Sequence, residues 1–191
     1  METSKLTSFQ SEYLWELSIP RVQLISLAEA IPEEAFGWRP AGDARSFSEV
    51  LVHIGGGMMM LLYRAEAYTP EVMQFCGPLE GEGMTLWVEM VHRGVEKEKA
   101  LIAKSDVIEL LKQAFAAVEK CFSNCSEEQL SEKRDFGGEL TTARRIYLRI
   151  LAHTHEHMGQ AIAYAREMGF HVPWPDPVKE LERMAAAEVS R

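Results

Sequence analysis

The sequence predicts an all-α protein, a four-helix up-down bundle with an extra helical insertion. Apolar residues recur at helical spacing over long segments, and convincing runs of alternating β-branched residues, which would indicate strands, are missing. Glycine and proline stand mostly outside these periodic segments, where they are expected to form the connections. Four principal helices in a chain of 191 residues bury their apolar stripes by packing against one another as a bundle.

The first two predicted helices occupy the N-terminal third of the chain. The first runs from about Leu6 to Ala30, and Pro20 is expected to kink or restart it, with Ser18 available as a cap. The second begins with the S-x-x-E capping box of Ser46 to Glu49, which precedes a long apolar run. We expect this helix to end at Thr69–Pro70.

The insertion and the last two principal helices follow. Within residues 70–104, a helix from Thr85 to Ala103 is expected after a glycine-rich loop. The third principal helix is expected to be capped by Asp106 and to end near Asn124. The last runs from about Thr142 to Met168, and Gly169 is positioned to terminate it.

Charge and composition limit the possible partners. Lys and Arg total 20 against 29 Asp and Glu, a net charge of −9, which disfavours binding to nucleic acid or to an anionic membrane. The longest nearly apolar run, Val50–Tyr63, is shorter than the roughly 20 residues of a membrane span, and residues 1–10 lack a signal-peptide pattern. Three cysteines in no framework spacing favour a reduced, cytoplasmic protein. One domain is expected over residues 1–191, with its core at about 18–176 and a C-terminal tail at 177–191.

Three of the six histidines lie in a single stretch of five residues, 153–157, inside the last predicted helix. At about 100° per residue, His153 and His157 point the same way, within the apolar stripe that faces the core, whereas His155 points to nearly the opposite side. Two imidazoles one turn apart can converge on a metal ion, or they can be core histidines that hydrogen-bond to neighbouring side chains. The spacing favours the metal.

A three-histidine site takes its third ligand from another helix. His53, two turns into the second helix at the edge of its apolar stripe, is the leading candidate, with a semi-exposed polar residue as the alternative interpretation. Gly55–Gly57 follow it directly, and such small residues allow a neighbouring backbone or a ligand to approach closely. His92 and His171 are weaker candidates, because both fall in uncertain or loop structure.

These motifs resemble the DinB/YfiT-like superfamily of metal-dependent four-helix-bundle proteins. The resemblance covers about residues 18–176 and includes Trp38–Pro40 in a loop and Ser46–His53 at the start of the second helix. Its most specific part is His153–Gln160, with the pattern H-x-x-x-H-x-G-Q. The family's arginine and glycine, its proline- and tryptophan-containing tail and their spacing are matched by Arg166, Gly169 and Val172–Trp174.

The resemblance implies that His53, His153 and His157 bind a metal, the same histidines that helical geometry selects. The expected cofactor is a divalent ion, zinc or nickel, since imidazole suits both. The resemblance also implies thiol S-transfer or isomerisation through a thiol adduct, with a low-molecular-weight thiol as the small-molecule substrate. Metal-assisted hydrolysis and a non-catalytic, metal-binding stress-response protein are the alternatives.

Glu156 is the candidate catalytic residue, because a carboxylate beside a metal ligand can act as a general base for a bound water. It can also accept a hydrogen bond from a ligand or be a solvated charge. Members of the superfamily commonly have histidine at this position.

Other side chains have a functional and a structural interpretation. Cys121 and Cys125 could form a second metal or redox pair, but two small buried residues are favoured. An anionic substrate could be held by the arginines of the last helix, which otherwise form a solvated face: Arg144, Arg145 and Arg149. Tyr164 lies on the same face as the candidate ligands and could line a cavity beside the metal, although core packing is favoured.

The last helix has a second apolar side, on which His155 also lies. This side consists of Leu148, Leu151, Met158 and Ile162. A helix that is apolar on both sides is buried on both sides. We therefore expect a homodimer with this side, or the Met58–Leu62 segment, in its interface, and the family resemblance implies the same.

Overall fold

The protein is a helical bundle with one small β-hairpin. A computed structural model describes residues 8–189. The eight helices of this range are α1 (Phe9–Ala30), α2 (Phe47–Arg64), α3 (Pro70–Cys76), α4 (Gly83–Ala100), α5 (Lys104–Ser123), α6 (Glu127–Ser131), α7 (Ala143–Glu167) and α8 (Pro177–Val189). The predicted mostly helical fold is confirmed, and none of these helices is both long and apolar enough to cross a membrane.

The second helix, α2, is the centre of the bundle. It packs against α3, α4, α5 and α7, and α1 covers the α5 and α7 sides. Residues on several sides of it are buried, including Val50, Val52, Ile54 and Met59, as expected for a helix that is apolar nearly all round. Side chains on α2 can therefore meet side chains from several other elements.

The first helix does not restart at its proline, which was one of the two outcomes predicted there. α1 continues through Pro20 without restarting, and the Ser18 hydroxyl donates to the carbonyl of Trp15 at 2.6 Å rather than capping a new helix. Buried Leu17 and Leu24 lie on either side of the proline, and this packing holds the helix together. The predicted start at Leu6 lies outside the described residues.

The ends of α2 combine a confirmed and a wrong prediction. Ser46 and Glu49 form the predicted capping box. The helix ends at Arg64 rather than at Thr69–Pro70, and Thr69 instead caps the next helix, α3. Glu66, at φ 62°, makes the turn between them, and the N–H of Ala67 donates to the carbonyl of Leu62 at 3.0 Å. This termination uses a left-handed non-glycine residue, which the sequence pattern does not reveal.

The hairpin was not predicted. Strands β1 (Lys133–Phe136) and β2 (Glu139–Thr142) pair antiparallel, joined by Gly137 and Gly138, both with positive φ. Two glycines between short segments are a recognised hairpin signal, but each strand has only four residues. The hairpin leads directly into α7, which Thr142 caps by accepting the N–H of Arg145.

Two further predicted boundaries lie at the start of α5 and at the end of α7. The third principal helix, α5, begins at Lys104, so Asp106 lies in its first turn and is not the cap. Gly169 ends α7 as predicted, at φ 85°, and the N–H of Phe170 donates to the carbonyl of Ala165 at 2.8 Å. The C-terminal segment 177–189 is helical, and its described side chains are mostly exposed.

Candidate metal centre

The structure brings three histidines together between α2 and α7. His53 comes from α2, and His153 and His157 come from α7. One ligand nitrogen of each ring lies within 4.8 Å of the others, and the ring centroids are 4.5–4.8 Å apart. His153 is buried, whereas His53 and His157 are partly exposed, so the exposed part of the cluster is formed by these two rings.

Close contact between α2 and α7 at Gly57 makes this cluster possible. A Cβ atom on Gly57 would lie 2.4 Å from Cε1 of His153 and 2.9 Å from its Nδ1. The neighbouring glycines serve other helices, since Gly55 faces Leu110 and Gly56 faces Phe75. The three glycines therefore allow close approach, but the approaching groups are side chains of three different helices rather than the predicted backbone or ligand.

Glu98 holds His53 from the insertion helix α4. Its Oε1 lies 2.7 Å from Nδ1 of His53, and its Oε2 accepts a hydrogen bond of 2.7 Å from Nε of Arg45. Burial by itself raises the pKa of Glu98. The hydrogen bonds from His53 and Arg45 outweigh this effect and hold the pKa below its ordinary value. The ionised carboxylate assigns the proton of His53 to Nδ1, which leaves the lone pair of Nε2 directed at the other two histidines.

Sequence reasoning missed Glu98. A signal was available in the sequence, because Glu98 follows Met90 by eight residues and Gly94 by four and so lies on the same, buried side of α4. The side chain of Glu98 is only 7% exposed. A charge buried this deeply requires a partner, but periodicity could not tell which one.

His157 is oriented by a chain of polar side chains on its own helix. Its Nδ1 lies 3.0 Å from Oε1 of Gln160, and Nε2 of Gln160 donates to the hydroxyl of Tyr164 at 2.9 Å. The Tyr164 ring packs edge-on against Trp38 at 5.4 Å. Because Oε1 of Gln160 can only accept, Nδ1 of His157 carries the proton, and its Nε2 is available as a ligand. Tyr164 therefore supports a candidate ligand in addition to packing.

His153 is the most buried member of the cluster. Its Nε2 lies 3.1 Å from Nε2 of His53, and its Nδ1 is buried without a hydrogen-bond partner among residues 8–189. Burial, followed by the nearby His53 and His157, lowers the pKa of His153 to about 3. Burial also lowers the pKa of His157, although Gln160 partly offsets this. Both imidazoles are therefore neutral at physiological pH, the form that binds a metal.

The donor set fits a divalent metal ion. A tetrahedral ion with metal–nitrogen distances of about 2.0–2.1 Å separates two ligand nitrogens by roughly 3.3 Å, close to the 3.1 Å between the Nε2 atoms of His53 and His153. Three imidazoles, two of them with the second nitrogen held by a polar partner, are typical of catalytic zinc sites. The three histidines together could hold a metal ion.

The other predicted site residues lie outside the cluster. Glu156 has a side chain that is 57% exposed and pairs with Arg149 at 3.3 Å. Arg144 pairs with Glu127, and Arg145 lies over the ring of Phe136 at 4.9 Å. Arg144 and Arg145, at the N-terminal end of α7, therefore already make contacts within the protein.

The remaining histidines and the cysteine pair are also separate. His92 and His171 are exposed, and His155 places Nδ1 3.0 Å from the carbonyl of Leu151. Cys121 and Cys125 are free and half-buried, and burial raises the pKa of both thiols. Such thiols are weak nucleophiles, which agrees with the interpretation of two small buried residues.

The fold and the cluster define a helical-bundle protein with a three-histidine site. A profile of the DinB superfamily matches residues 16–161, so the chain belongs to the DinB superfamily. This confirms the resemblance seen in the sequence.

Solved structures show the same fold. The chain is similar to a DinB-like protein from Bacillus cereus, at 16% identity and a TM-score of 0.64, over 86% of this chain and 95% of that one. It is also similar to a DinB-like protein from Bacillus subtilis, at 20% identity and a TM-score of 0.52, over 85% and 96%. Among curated proteins, no relative matches.

Proposed function

We propose that this protein is an enzyme that depends on a divalent metal, zinc or nickel, and acts as a thiol S-transferase or an isomerase that works through a thiol adduct. The observation that carries the proposal is the convergence of His53, His153 and His157 at a partly exposed position. Three protein ligands leave a coordination position open for substrate, which distinguishes catalytic from structural sites.

The carboxylates beside the cluster favour a thiol over a water as nucleophile. Glu98 is shared between His53 and Arg45, and Glu156 pairs with Arg149 on the exposed flank of α7. A general base in reach of the attacking water assists metal-dependent hydrolysis, and neither of these carboxylates is free to act as one. A thiol substrate is a much stronger acid than water and depends less on such a base.

The chain's own residues would prepare the site. Glu98 and Gln160 hold Nδ1 of His53 and His157, so that both Nε2 lone pairs face the same point. Gly57 allows His153 to complete the set. A divalent ion held there would lower the pKa of a bound thiol and so make a thiolate available at neutral pH.

Metal analysis of protein purified without a polyhistidine tag tests the first part of the proposal. We expect about one zinc or nickel ion per chain, and we expect His153→Ala to abolish tight binding, since it removes a ligand. His155→Ala is the matched control, because this residue lies on the same helix but bonds to Leu151. Equal metal content in wild type and His153→Ala would contradict a metal site here.

Cobalt substitution tests the second part. If a thiol enters the open position, adding glutathione, bacillithiol or mycothiol to the cobalt-loaded protein should produce a sulfur-to-cobalt charge-transfer band. The same titration with the corresponding S-methyl thioethers is the control, because they cannot form a thiolate. An unchanged spectrum with all three thiols, in protein that retains its metal, would favour the hydrolase or the non-catalytic alternative.

A further inference from the structure

A cavity lies towards the opposite end of α2 from the histidines. Its volume is about 680 Å³, within the range of small-molecule sites, and it is bordered by the last turn of α2, the start of α4 and the hairpin. Arg64 lies eleven residues after His53, a rise of roughly 16 Å along the helix, and none of the three clustered histidines lines this cavity.

Arg64 lines this cavity with part of its guanidinium unpaired. Its side chain is 4% exposed, and Nη2 donates to both the main-chain carbonyl and the carboxylate of Asp135. Nε and Nη1 make no hydrogen bond to any residue in the described range, and Nε is fully buried. Arginine has five N–H donors and no acceptor. The buried Nε–H cannot be reached from the cavity, but Nη1 is not among the fully buried atoms without a partner and can donate to an oxygen of a molecule there.

The charge of Arg64 is already balanced within the protein. Asp135 also accepts the N–H of Gly138 at 2.8 Å, and the hydrogen bonds from Arg64 hold the pKa of this carboxyl below its ordinary value. The Arg64–Asp135 pair is therefore neutral overall but still offers N–H donors. A ligand carboxylate makes charge-assisted hydrogen bonds with such donors, and these are stronger than the bonds of a neutral oxygen.

The rim of the cavity is negatively charged and aromatic. Glu66 is half-exposed and has only a long ion pair, 3.5 Å, to Arg134, and Glu82 has no ion pair among residues 8–189. The rings of Tyr63 and Tyr68 meet edge-on at 5.1 Å, and Tyr68 is 56% exposed. Carboxylates beside aromatic faces attract ammonium groups and repel a simple anion such as phosphate.

These features together favour a ligand that carries both a carboxylate and a positive charge. We propose that this cavity binds a small zwitterion of the α-amino-acid type, with its carboxylate on Arg64 and its ammonium group between Glu66 and Glu82. An apolar or aromatic side chain of the ligand then lies against Tyr63 and Tyr68. A simple anion would meet the acidic rim, and a simple cation would leave Arg64 unpaired. The proposal is independent of the metal-dependent function.

Calorimetric titration of the full-length protein with L-phenylalanine tests the proposal, with N-acetyl-L-phenylalanine and L-phenylalaninamide as controls that each lack one charge. We expect L-phenylalanine to bind and both controls to bind at least about tenfold more weakly, because each loses one charged contact. Equal affinity for all three would overturn the zwitterion. No binding of L-phenylalanine at millimolar concentration would show that water alone satisfies Arg64 and would also overturn it.

Variants locate the ligand. Arg64→Lys removes the unpaired donors and should weaken binding about tenfold or more. Glu82→Gln is exposed, should not disturb folding, and should weaken binding about two- to fivefold. Glu80→Gln, on the same loop but outside the cavity, is the matched control and should bind as wild type. Unchanged affinity in Glu82→Gln, with the fold intact by circular dichroism, contradicts the proposed position even if Arg64→Lys fails to fold.

Discussion

The carboxylate of Glu98 is shared between two donors, the ring of His53 and the guanidinium of Arg45, each at 2.7 Å. A carboxylate behind a candidate metal ligand fixes the tautomer and the direction of the imidazole and raises its basicity. The residue lies on α4, in the segment whose structure was least evident from the sequence. The insertion therefore contributes directly to the candidate metal centre.

We predict that Glu98→Gln lowers metal affinity about 10- to 100-fold while leaving the three histidines in place. The neutral amide is a weaker acceptor for Nδ1–H of His53, and it leaves Arg45 without its charged partner. Competition with a chelating dye measures the affinity. Glu96→Gln, exposed on the same helix, is the control. Equal affinities of the two variants would show that Glu98 has no role in positioning His53.

At the scale of whole helices, the contact between α2 and α7 determines where the site forms. Each of the three consecutive glycines in α2 makes room for a different neighbouring helix, and Gly57 makes room for His153. Glycine inside a helix normally costs about 0.5–1 kcal/mol relative to alanine. Three in a row on a buried helix therefore indicate close packing that a methyl group would prevent.

We predict that Gly57→Ala lowers the free energy of unfolding and weakens metal binding, because its Cβ would lie 2.4 Å from Cε1 of His153. Overpacking of this kind costs about 1–3 kcal/mol, more than the gain in helix propensity. Gly159→Ala on α7, where nothing lies within 4 Å of the new Cβ, should instead stabilise by about 0.5–1 kcal/mol. Urea unfolding measures both. Similar stabilisation in the two variants would mean that His153 moves away without cost.

At the scale of the whole molecule, the second apolar side of α7 is only partly covered by its own chain. Leu151, Met158 and Ile162 pack against the core, whereas Leu148 remains 45% exposed. Trp15 and Val22, two turns apart on α1, are 53% and 62% exposed. We propose that these exposed side chains, rather than the whole second apolar side, form the contact of the expected homodimer.

We predict a homodimer in solution, with a mass by light scattering twice the chain mass of 21.6 kDa. Leu148→Glu should shift it towards monomer, because a charge would be buried in the contact without a partner. Leu181→Glu, at an exposed position on α8, serves as the control and should remain dimeric. A wild-type mass of 21.6 kDa at micromolar concentration would contradict the dimer.

Local features that involve only one or two turns of a single helix could be predicted from the sequence. The capping box at Ser46, the terminating Gly169 and the shared face of His153 and His157 all follow from spacing along the chain. Boundaries failed where tertiary packing prevailed over a local signal, as at Pro20, which buried neighbours keep inside α1. The signal of Gly137–Gly138 was present in the sequence, but strands this short give little alternation to support it.

The sequence by itself determined the helical class, the family and the three histidines, because helical periodicity places a residue on one side of its own helix. Which elements then meet was decided only by the tertiary structure. Glu98 reaches His53 across 45 residues of sequence, and Arg64 reaches Asp135 across 71. Periodicity can show that such polar groups face inward and need a partner. The choice of partner depends on the paths of the loops and on the packing of side chains around α2.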